Sequence, residues 1–136
     1  MTKDEFINKV IGIPWVNRQS NFDGCDCFGI VKLYYKHVMG WDISEVKGYE
    51  QNEPFTDVLE SNIEMQWSEI DNYEDGAMAV FYVHGEPKHI ALCIGGAKFL
   101  HSHGHINNAG KVELVKMRAL KRLYNEVTYH KLQAFS

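Results

Sequence analysis

Cys27, His89 and a histidine tract are the residues of this sequence whose types and spacing could do chemistry together. Cys27 stands where a polar, glycine-containing loop gives way to an apolar helical pattern. A thiol at a helix start faces the positive end of the macrodipole and unpaired backbone N–H groups, and both favour the reactive thiolate. The same N–H groups could hold an oxyanion formed when a carbonyl is attacked. Gly29 would let such a helix approach the sheet closely. The plainer reading is a small buried hydrophobe, and a lone cysteine would favour it. A nucleophilic cysteine needs a base within hydrogen-bond reach, and the base needs an orienter. His89 leads the apolar run Ile90–Ile94, either as a core histidine or as a base presented from a rigid strand. His101-Ser102-His103-Gly104-His105 follows. Alternate histidines on a strand share a face and could bind zinc, but no cysteine or carboxylate accompanies them at zinc spacing. An orienter plus exposed loop histidines is the preferred reading, and neither metal nor cofactor is implied.

These residues need elements to position them. Thr2 and Glu5 form a capping-box pattern ahead of a short helix whose apolar pairs are Phe6/Val10 and Ile7/Ile11, ended by Gly12 and Pro14. Residues 15–24 read as a polar loop. Asp26 or Asp23 could cap a helix over about 27–39, with Phe28, Val31, Tyr35 and Val38 as its stripe and Gly40 as its stop. A further helix is expected from Pro54 to about Ile63. The second half is β-prone: Ala77–Val83 and Ile90–Ile94, with Gly85 and Pro87 marking their turn, then Lys98–His101, Lys111–Val115 and Val127–Leu132. Helices first and hairpins second predict an α+β fold, with N-terminal helices packed on a central antiparallel sheet. If Gly95-Gly96-Ala97 is a three-residue loop, His89 lies opposite His103, diagonal to His101, and all three share a face. A two-residue loop would put His89 on the other face. The pattern does not choose between His101 and His103 as orienter.

Composition bounds the rest. The 136 residues fit one domain, and 45% hydrophobic with 24% charged residues marks a globular chain. A net charge of −4 argues against wholesale nucleic-acid binding. No apolar run reaches the ~20 residues of a membrane span, so no membrane partner is expected. The first ten residues lack the apolar core of a secretory signal, and three cysteines do not make a disulfide framework, so synthesis in a reducing cytoplasm is expected. Cys25 reads as a loop thiol and Cys93 as a buried strand residue. Tyr34 and Tyr35 read as helix packing, Trp41 and Trp67 as core or core-edge, and Glu69, Asp71, Glu74 and Asp75 as a solvated acidic run.

Gly24-Cys25-Asp26-Cys27-Phe28-Gly29-Ile30-Val31 resembles the Asp-Cys-x-Gly block of the NlpC-type cell-wall peptidases, a papain-like cysteine peptidase family. Ile13-Pro14-Trp15 matches that family's aromatic motif ahead of the nucleophile. The stretch from His89 through Gly95-Gly96 to His101 resembles its second block. The match covers roughly residues 8 to 132. This resemblance implies a papain-like fold, Cys27 as nucleophile, His89 as base and His101 as orienter. It implies hydrolysis of the bond after γ-D-glutamate in peptidoglycan stem peptides, with Trp15, Asp26, Phe28 and His103 on the substrate side. Phe28, in place of the usual serine, is similar to phage tail-assembly members, which implies phage tail proteins as partners and a virion tail acting at the host wall. Trp15 replaces the usual tyrosine and its hydroxyl, and Asp75-Gly76-Ala77 replaces Pro-Gly-Asp. The alternatives are an amidase or acyltransferase with the same triad, and a tail assembly module that keeps the fold and binds a partner.

Overall fold

The structure, a computed structural model, describes residues 1–43, 66–105 and 108–133. Helix α1 (Lys3–Val10) begins with the expected capping box: Thr2 Oγ1 accepts from the Glu5 N–H, and the Glu5 carboxylate accepts from the Thr2 N–H. Phe6 and Val10 are buried, and Phe6 meets Tyr34 edge-on at 5.5 Å between ring centroids. Residues 15–24 are more ordered than a polar loop: two short strands, β1 (Ser20–Asn21) and β2 (Gly24–Cys25), pair with each other.

Helix α2 (Cys27–Tyr34) follows at once, and seven of its eight residues are buried. An eight-residue helix is marginal alone, so its stability comes from packing. Each fully buried large side chain such as Phe28 or Ile30 contributes about 2 kcal/mol. The helical path continues to Met39 as a wider π turn over Tyr35–Met39 and stops at Gly40 in the left-handed conformation. The expected helix from Pro54 lies outside the described residues.

Six strands form one antiparallel sheet in the order β3-β8-β4-β5-β6-β7. They are β3 (Trp67–Ile70), β4 (Met78–Val83), β5 (Glu86–Gly95), β6 (Lys98–His105), β7 (Asn108–Lys116) and β8 (Glu126–Leu132), with a short helix α3 (Met117–Lys121) between β7 and β8. Pro87 lies within β5. The β4–β5 turn is His84-Gly85 alone, and both residues have positive φ, as a type I′ hairpin turn requires. Met78, Val80, Ile90, Leu92 and Leu100 pack on the α1–α2 side, while Ala79, Phe81, Ala91, Cys93 and Phe99 form a second cluster on the other face with Leu120 of α3.

The segment before β1 ties the loop that leads to Cys27 to the sheet. Gly12 N–H donates to Val112, Val112 N–H to Ile13, and Trp15 N–H to Gly110, all along β7. Cys25 N–H then donates to Pro14, and Ser102 Oγ on β6 donates to the Cys25 carbonyl at 2.6 Å. Cys25 is therefore fully buried and held between strands, not a loop thiol, because its backbone carries these links. Trp67 is core as expected, but Trp41 is 43% exposed. Of the acidic run, Glu74 pairs with Lys131 and Asp75 with Lys3.

Candidate active site

Asp26 builds the start of α2. Its Oδ1 accepts from the Gly29 N–H at 2.8 Å and its Oδ2 accepts from the Arg18 N–H. Gly29 is needed because a Cβ there would overlap the Gln19 carbonyl oxygen. The close approach is thus to the backbone before β1, not to the main sheet.

Cys27 opens α2, which packs on β5 and β6. Strands β5 and β6 pair at Gly95↔Lys98, Cys93↔Phe99 and Leu92↔Leu100. Further along β5 the Ile90 backbone N–H is directed at the Cys27 sulfur, which the N–H groups of Cys27 and Phe28 also approach. These donors favour the thiolate, as the helix start predicts, but desolvation is larger and, with Asp26 nearby, holds the thiol well above its ordinary value. Cys27 is fully buried.

His89 shares the second face of the sheet with His101, and its Nε2 lies 2.8 Å from His101 Nδ1. Burial, then the neighbouring His101 and His103, keep His89 well below the usual imidazole range. His101 is pushed down to about 4, first by burial and then by His103. Both rings are therefore neutral near pH 7. In the tautomer consistent with an unprotonated His101 Nδ1, His89 carries its proton on Nε2. That leaves Nδ1 as the ring nitrogen able to take a proton.

The register explains why these two histidines meet. The turn is the two-residue Gly96-Ala97, both with positive φ, which alone would put His89 on the wrong face. A bulge between Cys93 and Gly95 inserts the extra residue and restores the alternation. His103 makes no hydrogen bond to His89. It stacks on His101 at 5.3 Å, and its Nε2 lies 3.3 Å from Glu113 Oε2 without the alignment of a hydrogen bond.

Tyr124, just after α3, lies over the site. Its ring is nearly parallel to that of His89, 6.0 Å away with an interplanar angle of 11°. Burial, then the field of Cys27, push its hydroxyl up. A cavity of about 410 Å³ opens on this face, lined by His89, His101, His103, Glu113, Leu120 and Tyr124 among others. Tyr124 carries no sequence signal. Glu113 does: it alternates with Val112 and Leu114, and it pairs in register with His101.

The four expected substrate-side residues are placed differently. His103 lines the cavity. Trp15 is 4% exposed, with its Cβ and Cγ where a Cβ on Gly104 would lie, at 3.0 and 2.9 Å. Asp26 and Phe28 expose no surface. Asp26 is a helix cap whose oxygens serve backbone N–H groups, and Phe28 is part of the core. Among the described residues, no three His, Cys, Asp or Glu side chains gather in a metal-holding cluster, and no helix is long and apolar enough to cross a membrane.

Comparison with known proteins places this geometry. Among solved structures, the NlpC/p60 domain of the peptidoglycan hydrolase SagA is 19% identical with a TM-score of 0.59, over 95% of this chain and 94% of that one. NlpC1 from Trichomonas vaginalis is 14% identical with a TM-score of 0.64, over 96% of this chain and 42% of that one. An NlpC/P60 family protein from Bacillus cereus is 21% identical with a TM-score of 0.55, over 86% and 35%. The chain spans less than half the length of the last two. A search of the curated proteins found no match. At these identities the likeness is one of fold, the α+β papain-like fold expected from the sequence. The NlpC/P60 family model matches residues 12–131, from the strap along β7 through α2 and the His89–His101 hairpin to the end of the sheet, and the chain belongs to that family.

Proposed function

We propose that this protein is a cysteine hydrolase acting on peptidoglycan stem peptides, at the bond between γ-D-glutamate and the following diamino acid. Cys27 is the nucleophile, His89 the base and His101 its orienter. The observation that carries this reading is the 2.8 Å contact between His89 and His101 on the strand whose next backbone N–H reaches the Cys27 sulfur. Likeness to a domain of a peptidoglycan hydrolase supports the substrate class.

His89 Nδ1 takes the thiol proton as the sulfur attacks the amide carbonyl, so charge need not be stored beforehand in this dry site. The C–S bond forms, and backbone N–H groups at the start of α2 stabilise the oxyanion. His89 then gives its proton to the leaving nitrogen as the C–N bond breaks. Water, deprotonated by His89, cleaves the thioester and restores the thiol. His101 keeps the His89 proton on Nε2 throughout.

The full coverage of Cys27 favours a second reading, a module that keeps the fold and binds a partner. An amidase or acyltransferase would use the same triad. A phage tail setting rests on sequence resemblance alone, since Phe28 is a core residue. Mass spectrometry of purified peptidoglycan, incubated with wild type or Cys27→Ala, separates these readings. Fragments ending in γ-D-glutamate with wild type only are expected. No cleavage by a folded wild-type protein would overturn the hydrolase reading, and activity of Cys27→Ala above about one percent would overturn the nucleophile assignment.

A further inference from the structure

The cavity beside the histidines has a direction. In acyl transfer the carbonyl carbon sits on the nucleophile and the departing nitrogen sits at the acid that protonates it. The cavity is lined by His89, His101 and His103 and not by Cys27. Given the hydrolase reading, on which this inference rests, it is placed to take the amine-side half of the substrate.

Its lining has two parts. Val115, Ala119, Leu120 and Leu123 make an apolar wall with the Tyr124 ring. The lining also includes the Glu113 carboxylate, 41% exposed and 3.3 Å from His103 Nε2. Lys88, the other charged side chain of the lining, is engaged by Glu86 at 3.2 Å. A cavity lined by apolar side chains and one carboxylate suits a hydrocarbon stem that carries an ammonium group, because the stem replaces water on the apolar lining and the charge meets an acceptor. We propose that Glu113 is a specificity residue: it binds the distal ammonium of a basic side chain on the leaving half, with His103 holding its carboxylate in place. The pairing of Glu113 with His101 in register puts this carboxylate directly across the β6–β7 pair from the orienter, so its position is fixed by the sheet.

Two measurements test this. The first is cleavage of synthetic stem peptides that differ only in the residue after γ-D-glutamate, lysine or its uncharged isostere norleucine. Wild type is expected to prefer lysine by about two- to fivefold in kcat/KM, the scale of one half-exposed charge contact, and Glu113→Gln to bring the ratio to about one. The second is equilibrium binding of the dipeptides lysyl-D-alanine and norleucyl-D-alanine to Cys27→Ala protein, which needs no turnover. The lysyl compound should bind more tightly, and the added Glu113→Gln change should remove the difference. Equal handling of lysine and norleucine by wild type, or a preference that survives Glu113→Gln, would overturn the assignment. Glu113-dependent binding without cleavage would support the cavity assignment while overturning the hydrolase reading.

Discussion

Acidification loads protons onto buried histidines that the fold keeps neutral, and the cost follows from their placement. His101 is 5% exposed and His130 is 6% exposed, and each is pushed down to about 4, from an ordinary value of 6.5, with burial the leading cause. His103 adds to the effect at His101 and Glu113 opposes it, whereas His130 faces Thr128 Oγ1 at 2.8 Å. Between pH 6.5 and 4 the unfolded chain binds protons at these sites and the folded chain does not. Stability is therefore fully present above about pH 6.5 and is lost as pH falls through that window. At 1.36 kcal/mol per pH unit, each histidine accounts for on the order of 3 kcal/mol across it. Two of them remove a large part of the about 5–15 kcal/mol that holds a typical domain. His89, also lowered, acts in the same direction. Urea unfolding followed by tryptophan fluorescence at pH 7.5, 6.5, 5.5 and 4.5 should show midpoints that fall steadily below 6.5. His130→Gln should flatten that slope by the share of one histidine. Midpoints unchanged from pH 7.5 to 4.5 would refute the reasoning, because they would mean that these rings take up protons without leaving the folded state.

Two further outcomes follow from particular contacts. Tyr124→Ala uncovers His89 and lowers the screen over Cys27, so iodoacetamide labelling of Cys27, mapped by mass spectrometry, should speed up about tenfold relative to wild type; an unchanged rate would mean that Tyr124 does not limit access. Gly29→Ala forces the α2 start away from the Gln19 carbonyl and strains the Asp26 cap, and should lower stability by about 1–3 kcal/mol in chemical denaturation; an unaltered midpoint would contradict the close approach described above.

Much of the scaffold was legible because its signals are local. The Thr2–Glu5 capping box, the Asp26 cap, the Gly40 stop and the apolar runs of β4 and β5 each depend on residues within a turn or a strand. The expected α+β class followed from their order. Whether His89 shares a face with His101 and His103 was not legible, because it turns on a bulge between Cys93 and Gly95 and on a positive φ at Ala97, where alanine gives no hint of one. The state of Cys27 was also misjudged by local reasoning. The helix start does favour the thiolate, but the burial that outweighs it comes from distant parts of the chain. The coverage of Asp26 and Phe28 was not legible either, because a helix start packed against a sheet turns both side chains inward. Tyr124 reaches the site from a loop after a five-residue helix, with no pattern to announce it.

The strap from Gly12 to Trp15 does more than carry the loop that leads to Cys27. By bonding to Gly110 and Val112 it occupies the outer side of β7, the last strand of the sheet. An open strand there would offer unpaired N–H and C=O groups to another chain. One stretch of backbone thus both positions Cys27 and closes a sticky margin of the sheet. Variants that loosen it will lose solubility together with the placement of Cys27, so screening such variants for soluble expression will discard chains in which that cysteine is displaced.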